Sequence, residues 1–165
     1  MHAKLYTIGY EGTRIEDFVR TLLDAGISTL LDVREVPISR KKGFSKGILR
    51  ETLDANGIRY VHLRGLGDPK PGREAARAGN YDLFRKIFTR HMKTPAAQME
   101  LHIAGSLAQE ATACLMCFER DHCECHRSIV AQHLVHITGL TVHNLAVESK
   151  PSSHVLPFST HHIGA

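Results

Sequence analysis

The segment Cys117-Phe118-Glu119-Arg120-Asp121-His122-Cys123-Glu124-Cys125-His126-Arg127 sets thiols, carboxylates, imidazoles and guanidinium groups within eleven residues, directly after the apolar run Ala113-Cys114-Leu115-Met116. An apolar run that opens into a polar loop and then a helix reads as the exit of a buried strand, the position where open α/β sheets keep ligand sites. Four chemistries fit these residue types: anion binding, acid–base catalysis, thiol chemistry and metal ligation.

Anion binding draws on several separate features. His126-Arg127-Ser128 opens a helix whose first amides and dipole favour a phosphate or carboxylate, and Arg127 can add a bidentate contact. Arg34, Arg40 and Lys46 belong to a stretch, Arg34 to Arg50, with six basic residues against one acid, and are expected to approach the same anion. The competing reading is internal, with Arg127 paired to Glu119 and Arg34 to Asp32 as salt bridges. For acid–base work the candidates are Glu119, His126, Asp32 and Tyr10. That set suits hydrolysis or glycosyl transfer on a nucleotide-like substrate, where an activated water or a cationic intermediate needs an acid nearby.

Thiol chemistry centres on Cys125, at a helix start beside Arg127 where its pKa would fall, and on Cys117 at the preceding strand end. Cys114 to Arg120 has the cysteine, five residues, arginine spacing of phosphatases. Cys114 sits inside the strand-like run, however, and is assigned to the core. No metal is expected. Cys114 and Cys117, three apart on a strand, face opposite ways, and no second cysteine pair lies elsewhere to close a tetrahedron. Only a cluster of Cys117, Cys123, Cys125 and a histidine would reopen zinc. No cofactor is assigned.

These groups need a scaffold, and the hydrophobic pattern supplies one. Lys4 to Ile8 predicts a strand, and Thr13-Arg14-Ile15-Glu16 a capping box before a helix carrying Ile15, Phe18, Val19, Leu22 and Leu23 and ending at Gly26. Ser28 to Val33 is a second strand, Ser45 to Asn56 a helix closed by Gly57, and Arg59 to Leu63 a third strand. The six glycines and prolines of residues 64 to 79 read as a long irregular surface loop. Asn80 caps a helix with Phe84, Ile87, Phe88 and His91 on one side, and Thr94-Pro95 starts another reaching Ala108. Ala111 to Cys117 is the fourth strand. A helix from His126 to Thr138 turns Ile129, Val130, His133, Leu134 and Ile137 inward, and Val142 to Val147 is a fifth, edge strand. Alternation of strands and helices predicts an α/β fold: one three-layer domain, a mostly parallel five-stranded sheet with helices on both faces. Its reactive residues then gather beyond the carboxyl ends of the strands, with Asp32 and Arg34 on one face and Cys117 and Glu119 on one face.

Size and composition set bounds. At 165 residues, 42% of them hydrophobic, the chain holds enough apolar material for one core. Residues 1–147 are read as that domain and 148–165 as a polar tail containing His154, His161 and His162. No run approaches the ~18 apolar residues of a membrane span and the start shows no signal-peptide pattern, so a soluble, cytoplasmic protein is expected. The four cysteines all lie between Cys114 and Cys125, too close to staple distant parts, and reduced thiols are expected. A net charge of +4 favours anionic partners. Within the basic loop Phe44 stands between Lys42 and Lys46, either as a stacking surface for a base or as a plug in the core.

Several of these fragments recur together in one known family. Thr7-Ile8-Gly9-Tyr10-Glu11-Gly12, Asp32-Val33-Arg34 with Pro37, Ser39 and Arg40, Gly43-Phe44-Ser45-Lys46, Gly57-Ile58-Arg59-Tyr60-Val61-His62-Leu63 with Leu66-Gly67, and Cys117-Phe118-Glu119 with Cys125-His126-Arg127 resemble the bacterial and archaeal family called domain of unknown function 488. The resemblance runs in order from Thr7 to Val147. It implies a compact α/β domain whose motif residues line one pocket, and it implies no particular reaction. His122 and Cys123 stand outside the shared pattern. The readings converge on an enzyme of hydrolase or glycosyl-transfer type acting on a phosphate-bearing small molecule or nucleic acid. The alternatives are a noncatalytic nucleotide or nucleic-acid binding module and a thiol- or zinc-dependent enzyme centred on Cys117 and Cys125.

Overall fold

Five short apolar strands, β1 (Lys4–Gly9), β2 (Thr29–Asp32), β3 (Arg59–His62), β4 (Ala113–Cys117) and β5 (Thr141–Leu145), form one sheet in the order β3-β2-β4-β1-β5 with every neighbouring pair parallel. The structure is a computed structural model and describes residues 3–150. Among them six α-helices connect or follow the strands: α1 (Ile15–Asp24), α2 (Lys46–Ala55), α3 (Lys70–Arg77), α4 (Tyr81–Met92), α5 (Pro95–Glu110) and α6 (His126–Thr138). The chain is therefore a single α/β domain. No helix is long and apolar enough to cross a membrane among the described residues.

The strand order explains which helix covers which face. From β1 to β2 to β3 the chain moves steadily toward one edge, and from β3 to β4 to β5 it moves back. Crossovers of one hand must then lie on opposite faces for the two directions of travel. Accordingly Phe18 and Leu22 of α1 and Leu49 and Leu53 of α2 share a core with Ile8, Leu30, Cys114 and Met116. Phe84 and Phe88 of α4, Leu101 of α5 and Leu134 of α6 share the other core with Leu5, Leu31, Leu115 and Cys117. The period-2 alternation of β4 thus sends Cys114 and Cys117 to opposite layers, as the sequence requires.

Three local expectations need correction. Residues 64–79 are not an irregular loop: Arg64–Leu66 make a 3₁₀ turn and Lys70–Arg77 make α3. The prolines fall where a helix tolerates them, before its first residue and in its first turn, and Gly79 takes the positive φ of 74° that ends the helix. The breakers mark helix boundaries. The capping box is also absent, because the Thr13 hydroxyl donates to the Tyr10 carbonyl and closes the preceding turn, leaving Arg14 at the helix boundary with no side-chain cap. Ile137, expected to face inward, is 46% exposed in the last turn of α6. Asn80 and Thr94 do cap α4 and α5. The tail histidines lie outside the described residues.

Phe44 is a core residue. It is fully buried, stacks on Tyr10 with ring centroids 4.5 Å apart and meets Phe18 edge-on. Its loop is thereby pinned under the strand ends. Phe44→Ala is expected to cost about 3–5 kcal/mol of stability, read as a lower urea midpoint at an unchanged slope. A loss below about 1 kcal/mol would mean the loop is not anchored there.

Candidate functional site

The loops that leave β1, β2, β3 and β4 enclose a cavity of about 590 Å³ beyond the carboxyl ends of the strands, within the roughly 300–1,000 Å³ of small-molecule sites. Tyr10 comes from the first loop, Arg34, Glu35 and Arg40 from the second, Asp68 from the third, and Cys117, Phe118 and Glu119 from the fourth. Helix α3 adds Arg73 and Arg77, α4 adds Tyr81 and Phe84, and α6 adds His126. Close backbone approach makes this convergence possible. A Cβ on Gly9 would fall on the Glu119 carbonyl, and one on Gly67 on the backbone of Glu35, so only glycine lets those loops cross.

Of the residues singled out from sequence, Tyr10, Arg34, Arg40, Cys117, Glu119 and His126 line the cavity; Asp32, Lys46, Cys125 and Arg127 do not. Asp32 and Arg34 form the internal salt bridge, fully buried, at 2.8 Å. Arg34 also donates to the Tyr10 hydroxyl and to the Phe44 carbonyl, and the Tyr60 hydroxyl donates to Asp32. Burial pulls the Arg34 pKa down, but the charge and hydrogen bonds of Asp32 and Tyr10 outweigh it and hold the guanidinium charged. Arg34 is a fixed cation in the cavity wall. Lys46 begins α2 and points to His62, 3.4 Å away.

Arg127 holds the fourth loop in place. It is 1% exposed, and its guanidinium donates to the Thr7 hydroxyl at 3.3 Å, to Cys117 Sγ at 2.9 Å, to the Glu119 carbonyl and to the Arg120 carbonyl at 3.3 Å. Arg127, expected to bind an anion or, on the competing reading, to pair with the Glu119 carboxylate, is instead bonded to main-chain carbonyls. Among the described residues it makes no ion pair, and burial draws its pKa down. Arg40 and Arg77 line the cavity without an ion-pair partner among the described residues, while Arg73 is bound to Glu35 at 2.7 Å.

The sulfurs depart from expectation. Cys117 and Cys125 are joined by a disulfide, although the sequence spacing predicted reduced thiols. Sequence separation limits only the stapling of distant parts; here an eight-residue return brings the end of β4 against the first turn of α6. Cys123 and the fully buried Cys114 are free, and burial raises the Cys114 thiol pKa, which removes it as a nucleophile. His126 is buried beside the pair. Its Nε2 donates to the Val33 carbonyl at 2.6 Å, and burial lowers its pKa to about 4, so the ring is neutral with Nδ1 as acceptor.

Asp68 was not legible as a site residue, because it lies in the stretch read as featureless loop. It is 6% exposed, its Oδ1 has no hydrogen-bond partner, and Gly72 leaves the space that this oxygen occupies. Burial raises its pKa to about 7 against the opposing pull of Arg73, and the charges of Glu119 and Glu35 add to the rise. Burial raises Glu119 as well, opposed by Arg127 and Arg77. The cavity thus holds two carboxyl groups that burial pushes toward the protonated form, and the Glu119 charge adds to the rise at Asp68. The one available sequence signal was position: Asp68 directly follows the Leu66-Gly67 motif.

Two outcomes test this geometry. Arg127→Met removes the donors of buried carbonyls and should cost about 3 kcal/mol or more in urea unfolding; an unchanged midpoint would return Arg127 to the role of ligand contact. Asp68 binds its proton near pH 7 when folded and near 3.8 when unfolded, so the folded state carries the extra proton between those values and loses stability as pH rises through them. Asp68→Asn should therefore be more stable than the parent above pH 7 and converge with it below pH 4. A difference independent of pH would contradict the raised pKa.

Against this geometry stand the comparisons with known proteins. The family described as Domain of unknown function DUF488 matches residues 14–134, well over half of the chain, and the chain belongs to that family. No curated protein and no solved structure matches it.

Proposed function

We propose that this member of the domain of unknown function family DUF488 is an enzyme that performs acid–base chemistry, hydrolysis or glycosyl transfer, on a phosphate-bearing nucleotide, free or within a nucleic-acid strand. The observation that carries the reading is Asp68: a buried carboxyl with an unpartnered oxygen, titrating near neutrality, in a nucleotide-sized cavity beside uncommitted arginines. Buried carboxyl oxygens are usually hydrogen-bonded; Asp68 Oδ1 is not, and unlike Glu100, whose Oε2 is also unpartnered, Asp68 lines the cavity.

The parts divide by chemistry. Arg40 and Arg77 meet the phosphate as bidentate donors. Tyr81 and Phe118, 37% and 45% exposed, offer ring faces, and Val36 and Ile38 an apolar edge, for the base or sugar. Asp68, which burial keeps partly protonated near neutral pH, serves as general acid toward the leaving group, and Glu119 orients the attacking water or hydroxyl. The Tyr10 hydroxyl, held by Arg34, presents a fixed dipole at the developing charge. Lys41 and Lys42, next in sequence to the lining residue Arg40, would extend the positive surface to the neighbouring phosphates of a strand.

The test is calorimetric titration of nucleoside phosphates and short single-stranded oligonucleotides at several salt concentrations, with chromatography of the products. Arg40→Ala and Arg77→Ala should each weaken binding about tenfold and lower the salt slope. Asp68→Asn should bind as the parent does and lose about 10²-fold or more in turnover, while parental activity falls as pH rises through about 7. Binding without product from any ligand would leave a noncatalytic module, and no binding at millimolar ligand would end the proposal.

A further inference from the structure

Three soft or borderline donors meet at the inner wall of the cavity: Cys117 Sγ, Cys125 Sγ and a ring nitrogen of His126 all lie within 4.8 Å of one another, and all three residues are buried. We propose that, once the Cys117–Cys125 bond is reduced, these three side chains form a binding site for a borderline-soft divalent metal ion of the zinc type. A dithiol reductant supplies the two electrons and two protons that open the disulfide, becoming a disulfide itself. The ion then displaces both thiol protons to solvent.

The donor set comes first. Two thiolates and an imidazole select zinc and its neighbours over magnesium or calcium, which require oxygen. The imidazole is already in the ligating tautomer. The Val33 carbonyl accepts from Nε2 at 2.6 Å, which leaves the Nδ1 lone pair directed at Cys125 Sγ, 3.5 Å away. A backbone carbonyl fixing the remote nitrogen is the usual support of a metal-bound histidine.

Backbone spacing agrees. The Cα atoms of Cys117 and Cys125 are 7.3 Å apart, wider than the roughly 4.4–6.8 Å usual for disulfides. Two thiolates at ~2.3 Å from a tetrahedral ion have sulfurs ~3.8 Å apart and so ask for a broader stance. Charge agrees too. Arg127 Nη1 donates to Cys117 Sγ at 2.9 Å, and the Arg127 amide, at the first turn of α6, donates to Cys125 Sγ. Both bonds favour thiolates over thiols. Two thiolates and the Glu119 carboxylate, whose Oε2 is 3.4 Å from Cys117 Sγ, balance a divalent ion and the Arg127 guanidinium.

Because Cys117, His126 and Glu119 all line the cavity, the fourth position opens toward it and takes a water or the Glu119 carboxylate. Three protein ligands and an accessible fourth is the arrangement of a catalytic metal site. The exposed cluster of Asp121, His122 and Cys123 is a separate group and contributes nothing to this one. Asp68, Arg40 and Arg77 take no part in this metal site, whose binding is independent of the acid–base reaction.

The experiment titrates the whole reduced protein, kept under phosphine reductant, with Co²⁺ and then Zn²⁺. One equivalent of Co²⁺ should bring up sulfur-to-cobalt charge-transfer absorption and tetrahedral visible bands, and one equivalent of Zn²⁺ should erase them. Cys117→Ser and Cys125→Ser should lose the charge-transfer band or about half its intensity, His126→Gln should weaken Co²⁺ affinity at least tenfold, and Cys123→Ser should match the parent. Absence of the band in the parent, or its loss in Cys123→Ser with retention in both Cys117→Ser and Cys125→Ser, would overturn the proposal. The parental titration decides even if a variant fails to fold.

Discussion

A single buried guanidinium fixes the geometry of the site. Arg127 reaches from the first turn of α6 across the ends of β1 and β4 and donates to a hydroxyl, a sulfur and two main-chain carbonyls. The loop after β4 turns sharply there, and its carbonyls would otherwise point into a buried space without donors. Few other side chains offer several N–H groups in one rigid fork, so the fold accepts a buried charge to satisfy them. Gly9 leaves the room in which the Glu119 carbonyl and Arg127 meet. Cys117, Glu119 and His126 take their positions from that crossing.

The charged residues around the cavity fall into two groups with different work. One group is spent on structure: Asp32 and Arg34 neutralise each other, with Tyr10 and Tyr60 completing the network, and Arg73 closes on Glu35. Buried pairs of that kind contribute little net stability but hold their atoms still. The other group is left over. Asp68, Arg40 and Arg77 have no ionic partner among the described residues, and all three line the same space. These unpaired charges, lining one cavity, are what the proposed ligand would meet.

Much of the scaffold was legible in the sequence, for physical reasons that also explain what was not. Strand runs such as Ala113 to Cys117 and helix caps such as Asn80 and Thr94 act locally, and they were readable. Period-2 geometry put Asp32 and Arg34 on one face, and their salt bridge was legible as the competing reading to anion binding. By contrast α3 was hidden because its prolines and glycines look like loop chemistry unless their place relative to a helix start is known. With α3 hidden, Asp68, Arg73 and Arg77 had no reason to point inward. Arg127 was recognised as important, but its role turned on whether carbonyls or a ligand would receive its donors, and that depends on how the fourth loop folds back. The meeting of Cys117 with Cys125 depends on the same fold-back.

The central claim is that the cavity keeps one carboxyl group poised at neutrality for proton transfer. Carbon-13 NMR titration of the Asp68 side-chain carboxyl in the folded protein tests it most directly. The account predicts a midpoint of about 7. A midpoint near the ordinary value of 3.8 would mean that Asp68 is solvated or paired, and the account would fail.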